Sequence, residues 1–372
     1  MEKKEKWRIS PYVVTLYVFI MFCIYPFYYE NGYYNMATAK CRFFLVLSVI
    51  AFFVILLTSL IDTIRWGKGT GIAFDWEKIS ITEKILYVYM VMVVLSFIFS
   101  NFKQSVLWGA TDWYIGTIPL LLMTFLSCYI MHMWEEQKWL KYGWLIVSGI
   151  VFLLGICNRF SFYPIPIQPR QPGFISTLGN INWFCGYMSV TAPMGVSIFV
   201  LKREEYKDKW KKWLLAFYVQ LVFVTGFCQG SDSVFVWNAA LFIVLFWIAV
   251  KNTERIKRWL LMVAMWGISG QLVRALKAMF PERYNYDTSI FIDTSATWII
   301  ALIAIGLYLI IHFQWKKEKE LAVILQDGIR RNMLAAFVIG IFADIIEKPG
   351  RSAHFISPGF AIEIAYLIPS VL

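Results

Sequence analysis

Charge is scarce in this chain: 16% of its 372 residues are Asp, Glu, Lys or Arg, against 59% apolar and 18% aromatic. With a mean hydropathy of +0.60, that balance excludes a water-soluble domain, whose interior could not hide so much apolar surface. Histidine is scarcer still, at three residues. The six cysteines (23, 41, 128, 157, 185, 228) stand in or beside apolar runs at no metal-ligand spacing, so they read as small apolar filler and no metal is expected. Also missing is the alternation of apolar and polar residues over about ten positions that a membrane β-barrel needs. Basic residues precede the first apolar segment, but no small-residue cleavage pattern follows it, so no cleavable signal peptide is expected.

What is present is a series of apolar runs of roughly 17 to 25 residues, long enough to cross a hydrocarbon core of about 30 Å as helices. The expected fold is all-α, a polytopic transmembrane helical bundle with about 10 to 11 spans and short loops. Spans are expected at about 11–28, 43–61, 85–99, 118–134, 142–157, 183–201, 213–227, 234–250, 259–276 and 298–313, with a short eleventh at about 333–346. Residues 1–346 form the membrane domain on this reading, and 347–372 an atypical outer tail. Span nine carries Gly267, Gly270, Gln271 and Arg274, which weaken its apolar character, and Pro193 within span six is expected to kink it.

The formal charge of +11 invites a nucleic-acid partner, but the positions of the cations argue for topology instead. With MEKKEKWR held in the cytoplasm, 25 of the 35 Lys and Arg fall on the inner side and 10 on the outer. This bias sets the orientation of a multi-pass protein and leaves no nucleic-acid role to explain. GKGTG at 67–71 lacks the frame of a phosphate loop and reads as a connector.

The informative charges are then those outside or within the spans. Arg159 and Arg170 flank a Pro-rich segment between spans five and six. Lys103 and Asp112 follow span three, Asp232 sits between spans seven and eight, and Arg274, Lys277 and Arg283 cluster at the outer end of span nine. Each is open to a plain reading as a snorkelling or paired interfacial charge. Together they are also open to a sharper one, as cations converging on an anionic lipid-linked substrate, since Arg presents a planar two-pronged donor to phosphate oxygens. Gly179-Asn180-Ile181-Asn182 opens an apolar helix directly. It reads either as an Asn cap or as an anion site on backbone amides.

GNINWFCGY, from Gly179 to Tyr187, resembles the Gly-Asn-x-Asn signature of the O-antigen ligase and O-antigen polymerase superfamily, which opens a membrane helix after an outer loop. SNFKQSVLWGATDWYIGTIPLL resembles the family's segment after an early span, with its apolar-Trp-Gly and aromatic-x-Gly pattern, and FCQGSDSVFVWNAALFIVLF resembles its Thr-x-Ser-Arg-Gly turn. The likeness runs over roughly residues 85–250. It implies a glycosyltransferase of a bacterial cytoplasmic membrane that moves glycan from undecaprenyl diphosphate to an acceptor glycan or lipid hydroxyl on the outer face, with no cofactor and no metal. It further implies that Arg170, with Arg159 as a looser candidate and Asn180 and Asn182 beside the turn, holds the diphosphate. Asp112, Asp232, Arg274 and Arg283 are further outer-face candidates.

Two departures from the family pattern stand out. Ser231-Asp232-Ser233 replaces the family's Ser-Arg-Gly, and the chain ends where a large outer domain is expected. His354, in GRSAHF, is then the remaining candidate for a catalytic base, while His132 and His312 lie near inner span ends. A shortened, inactive member of the family is one alternative. A carrier or flippase for lipid-linked oligosaccharide is another, and it requires polar residues deep in several spans, where Gln220 and Asn238 are the main exceptions to an apolar pattern.

Overall fold

The computed structural model describes residues 8–66, 79–111, 113–135, 137–203, 206–285 and 295–314. Expectations for GKGTG, Asp112, the eleventh span, the tail 347–372 and His354 lie outside these residues. Among those described there are eleven α-helices: α1 Ser10–Phe19, α2 Met36–Trp66, α3 Ile81–Phe99, α4 Lys103–Trp108, α5 Thr117–Met133, α6 Lys138–Arg159, α7 Ile181–Ser197, α8 Lys209–Cys228, α9 Ser233–Ala249, α10 Thr253–Met279 and α11 Ala296–Gln314. Two two-residue strands, β1 Phe174–Ile175 and β2 Gly179–Asn180, precede α7. A π turn, Ile20–Ile24, and a 3-10 turn, Tyr25–Phe27, extend α1, and a second π turn, Ile198–Lys202, extends α7. Pro193 lies inside α7 and is buried.

Eight of the helical stretches are long and apolar enough to cross a bilayer. The chain is a helical membrane protein with many spans, because a helix satisfies its own backbone and so crosses hydrocarbon without exposing peptide groups. α5 and α9 are also apolar but have 17 residues each. Several boundaries differ from those expected. α2 begins at Met36 and α10 at Thr253, so much of the sequence read as loop on either side of these spans is helix. Their polar ends, with Lys40 and Arg42 in α2 and Arg255, Lys257 and Arg258 in α10, lowered the local hydropathy without breaking the helix.

The described residues divide into two compact units. The first draws on Met1–Val147, Ile165–Gln171 and Thr177–Gly179; the second draws on Ser148–Pro164, Pro172–Ser176 and Asn180 onward.

In the first unit Val14, Tyr17 and Val18 of α1 pack with Ile55 of α2, Leu126 and Tyr129 of α5 and Leu140 of α6. Asp62, near the end of α2, is fully buried and accepts from the backbone of Ile9 and Ser10 and, at 2.5 Å, from the Ser10 hydroxyl. It thereby caps α1 from another helix and sets a negative charge at the positive end of the α1 dipole. The sequence alone places Asp62 in a loop. α3 starts with a reciprocal capping box between Ser80 and Glu83, and the second carboxylate oxygen of Glu83 meets His132 Nε2 of α5 at 2.5 Å. His132 is therefore a partner of the Glu83 carboxylate rather than a lone interfacial ring.

The second unit holds the deeper core. Two-thirds of the α7 span, 67%, is buried, against 11% of α3 in the first unit. Phe152 of α6, Phe184 and Met188 of α7, Val219 and Phe223 of α8, Leu245 of α9 and Met262 of α10 are all buried. Gly155 permits this packing, because a Cβ there would lie 2.7 Å from the Phe184 ring. The glycines of α10 serve the same purpose. Gly267 and Gly270 face Thr297 and Ala301 of α11, and Gln271 Nε2 donates to Thr297 Oγ1 at 2.7 Å. What reads in the sequence as weakness in this span is a close-contact seam, the small-residue packing that membrane helices use in place of a hydrophobic drive.

Candidate functional site

One cluster of polar residues of the second unit lies where α6 and α8 terminate and just beyond α10. α6 ends at Asn158-Arg159, and the Arg159 side chain turns inward, with 1% of its surface exposed. Its Nε donates to the Cys228 carbonyl at 2.7 Å and its Nη2 to the Gln229 carbonyl at 2.7 Å. Its Nη1 reaches the Pro172 carbonyl at 3.1 Å and Asn285 Oδ1 at 3.2 Å. These acceptors are largely the last carbonyls of α8 and its flank, which no helical amide satisfies and which sit at the negative end of a helix dipole. The guanidinium fork matches them as it would match a planar anion.

Asn285 completes the arrangement from beyond α10. Its amide nitrogen donates to the Asn158 carbonyl at 3.0 Å and to the Tyr163 hydroxyl at 3.1 Å, and its backbone N–H donates to the Arg159 carbonyl. Asn158 Oδ1 in turn accepts from Ser176 N at 2.7 Å, and the Ser176 hydroxyl donates to the Val151 carbonyl at 2.8 Å. Ser161 donates to the Arg283 carbonyl at 2.7 Å. The chain leading into α7 is thus tied to α6 by polar contacts through Pro172 and Ser176.

α7 itself opens on the Asn cap. Asn180 Oδ1 accepts from Asn182 N at 2.8 Å, and Ile181 N donates back to the Gly173 carbonyl at 3.1 Å. The Asn180 side chain is therefore engaged in capping, while Asn182 is exposed. Gly179 carries φ +92, a conformation that L side chains rarely adopt. Asp232, Arg274 and Arg283 are exposed. Asp232 stands at the head of α9 without a side-chain cap bond, and Lys277 lies over the Tyr284 ring at 5.7 Å.

Arg170 belongs to the first unit and is exposed. Its segment is anchored on either side. Gln168 O accepts from Tyr33 N at 2.7 Å, and Gln171 Nε2 donates to the Tyr34 hydroxyl at 3.0 Å. Gly32 stands at φ +83, where a Cβ would lie 2.3 Å from the Gln168 carbonyl oxygen. A glycine is required there for the 165–171 segment to approach.

The Leu107-Trp108-Gly109 and Tyr114-Ile115-Gly116 motifs of the first unit meet each other. A Cβ on Gly109 would lie 2.5 Å from Ile115 N, and one on Gly116 would lie 2.3 Å from Gly109 N. Two backbones cross here at a distance that only paired glycines allow, so the spacing of the motif is a closed loop between α4 and α5. Tyr114 joins it to α2 through a 2.8 Å hydrogen bond with Thr38 Oγ1. Lys103 closes the other end by donating to the Phe97 and Ile98 carbonyls at the end of α3.

Three residues that organise these ends were not singled out by sequence reasoning. Asn285 sits 126 residues from Arg159, so no local spacing signals it. Gln229 follows α8 in what reads as a tight turn. Lys40, buried within α2, donates to the carbonyls of Tyr25, Pro26 and Tyr28 at 3.0 to 3.1 Å, which fastens the broken end of the first span. Comparison with protein-family models, with curated proteins and with solved structures finds no match to this chain.

Proposed function

We propose that the chain is a glycosyltransferase-like protein of cell-surface polysaccharide assembly, of the O-antigen ligase and polymerase type, in a bacterial cytoplasmic membrane. It transfers glycan from undecaprenyl diphosphate to an acceptor hydroxyl on the outer face, with its N-terminus in the cytoplasm. The observation that carries this reading is the Gly179-Asn180-Ile181-Asn182 turn, which is the cap and first turn of a span-length helix, as the resemblance requires. The paired glycines of the Trp-Gly and x-Gly motifs support it, since their spacing has a structural reason. α5 and α9, each about 25 Å long at 1.5 Å per residue, count as spans on this reading and bring the described total to ten.

The chemistry follows from charge. The acceptor oxygen attacks the anomeric carbon, the bond from that carbon to the diphosphate oxygen breaks, and the electron pair leaves with the diphosphate. The hydroxyl proton passes to a base, for which His354 is the candidate. A fixed cation that meets the charge growing on the diphosphate lowers the barrier. Arg159 is committed to internal carbonyls, so on this reading the diphosphate contact is assigned to Arg170, the position that the resemblance implies.

Arg170→Ala should weaken binding of undecaprenyl diphosphate by about tenfold or more, the worth of a charge-assisted contact. Its thermal stability should stay at the wild-type value. Titration of the purified protein with the lipid, followed by thermal shift, measures both. Unchanged affinity would remove Arg170 from the site, and movement of donor lipid across a bilayer without transfer would favour the carrier.

A further inference from the structure

We infer that the N-terminal end of α8 is a binding site for an anionic phospholipid, with the headgroup held by Lys207 and Lys209 and an acyl chain laid along the apolar stripe above them. The inference rests on the membrane placement of the chain and is independent of the glycosyl-transfer reading.

The first observation is electrostatic. The stretch 202–212 carries six Lys or Arg against three acids. α8 then begins Lys209-Trp210-Lys211-Lys212, with no acidic residue in its first turn. A helix N-terminus is already the positive end of a macrodipole, where cations are unfavourable and anions favoured. Asp208, the preceding residue, makes no cap bond to the helix and instead pairs with Lys211 at 2.6 Å. Lys202, Lys207 and Lys209 are exposed, so these three cations are open to an anion from outside.

The second observation is the surface directly above. Trp210, Trp213, Leu214 and Phe217 are 56% to 72% exposed. Their spacing is i, i+3, i+4, i+7, which places them on one face of α8. Lys209, four residues before Trp213, belongs to the same face. Exposed tryptophans mark the headgroup level of a bilayer, and long aliphatic or aromatic side chains beyond them face the tails. Cations, then indoles, then Leu214 and Phe217 therefore follow the order of an anionic phospholipid read from phosphate to acyl chain. A soluble anion would match the lysines and leave the stripe unexplained. A second copy of the chain would match the stripe and bring its own lysines against these.

The test uses the purified full chain in a zwitterionic detergent. Its thermal midpoint is followed during titration with phosphatidylglycerol, phosphatidylcholine of the same acyl chains, or inorganic phosphate. Half-saturation by phosphatidylglycerol is expected at a concentration at least about tenfold lower than by phosphatidylcholine, in keeping with the attraction of basic residues to an anionic leaflet. The difference should largely vanish in Lys207→Gln/Lys209→Gln and in wild type at high salt, since exposed charges are screened there. If the double variant fails to fold, the salt dependence of the wild type decides. Equal response to both lipids, stabilisation by inorganic phosphate alone, or a midpoint that follows protein concentration whatever the lipid would each overturn the assignment.

Discussion

Arg159→Ala is expected to lower the stability of the folded chain by about 3 to 5 kcal/mol, the range for emptying one side of a buried charged contact. The loss has two parts. The Cys228, Gln229 and Pro172 carbonyls and Asn285 Oδ1 lose their donors, and the space vacated is 99% shielded from water that might replace them. Arg159→Lys should recover only a minor share, since an ammonium on a flexible stem cannot span acceptors arranged for a planar fork. Arg170→Ala is the matched control, because that side chain is exposed and its removal should leave stability near wild type. Thermal unfolding of the three variants in one detergent separates a structural arginine from a surface one.

The second large effect is expected at the α10–α11 seam. A methyl added at Gly267 would sit 2.4 Å from the Thr297 carbonyl oxygen and 2.9 Å from Ala301 Cβ. Backbone cannot move aside as a side-chain tip can, so Gly267→Ala should cost about 1 to 3 kcal/mol through overpacking. Gly306 of α11 has nothing within 4 Å of the same position, and Gly306→Ala should be neutral or stabilising by up to about 1 kcal/mol from helix propensity alone. The two substitutions are chemically identical and lie on neighbouring helices, so opposite signs in one thermal assay isolate the seam. Equal destabilisation would mean that the helices do not meet through Gly267.

These two positions also show what the sequence makes legible. Apolar run length locates the span-length helices, because the bilayer imposes that length on each one separately. The Asn180 cap is legible for a similar reason: cap and helix are adjacent in the chain. Gly267 and Gly270 were visible as residues but not as contacts, since a glycine lowers local hydropathy whether it weakens a helix or admits a neighbour. Arg159 misleads in the same way. An arginine after a span looks like a ligand for phosphate, and only the distant Gln229 and Asn285, brought in by α8 and α10, reveal that its hydrogen bonds are spent internally. Asp62 capping α1 and Glu83 meeting His132 are likewise pairings between helices that no local pattern encodes. Helix ends at Met36 and Thr253 escaped because polar residues continue a helix past the edge of its apolar window.

The most direct measurement of the account is glycan transfer in proteoliposomes from a labelled undecaprenyl diphosphate donor to an acceptor glycan or lipid, with wild-type chain, Arg170→Ala and empty vesicles compared. Transfer by the wild type that falls by about 100-fold or more in Arg170→Ala, the scale of losing one preorganised charge contact in a transition state, is the result expected. Absence of transfer by a folded wild-type chain that binds the donor, or transfer undiminished in Arg170→Ala, would contradict it.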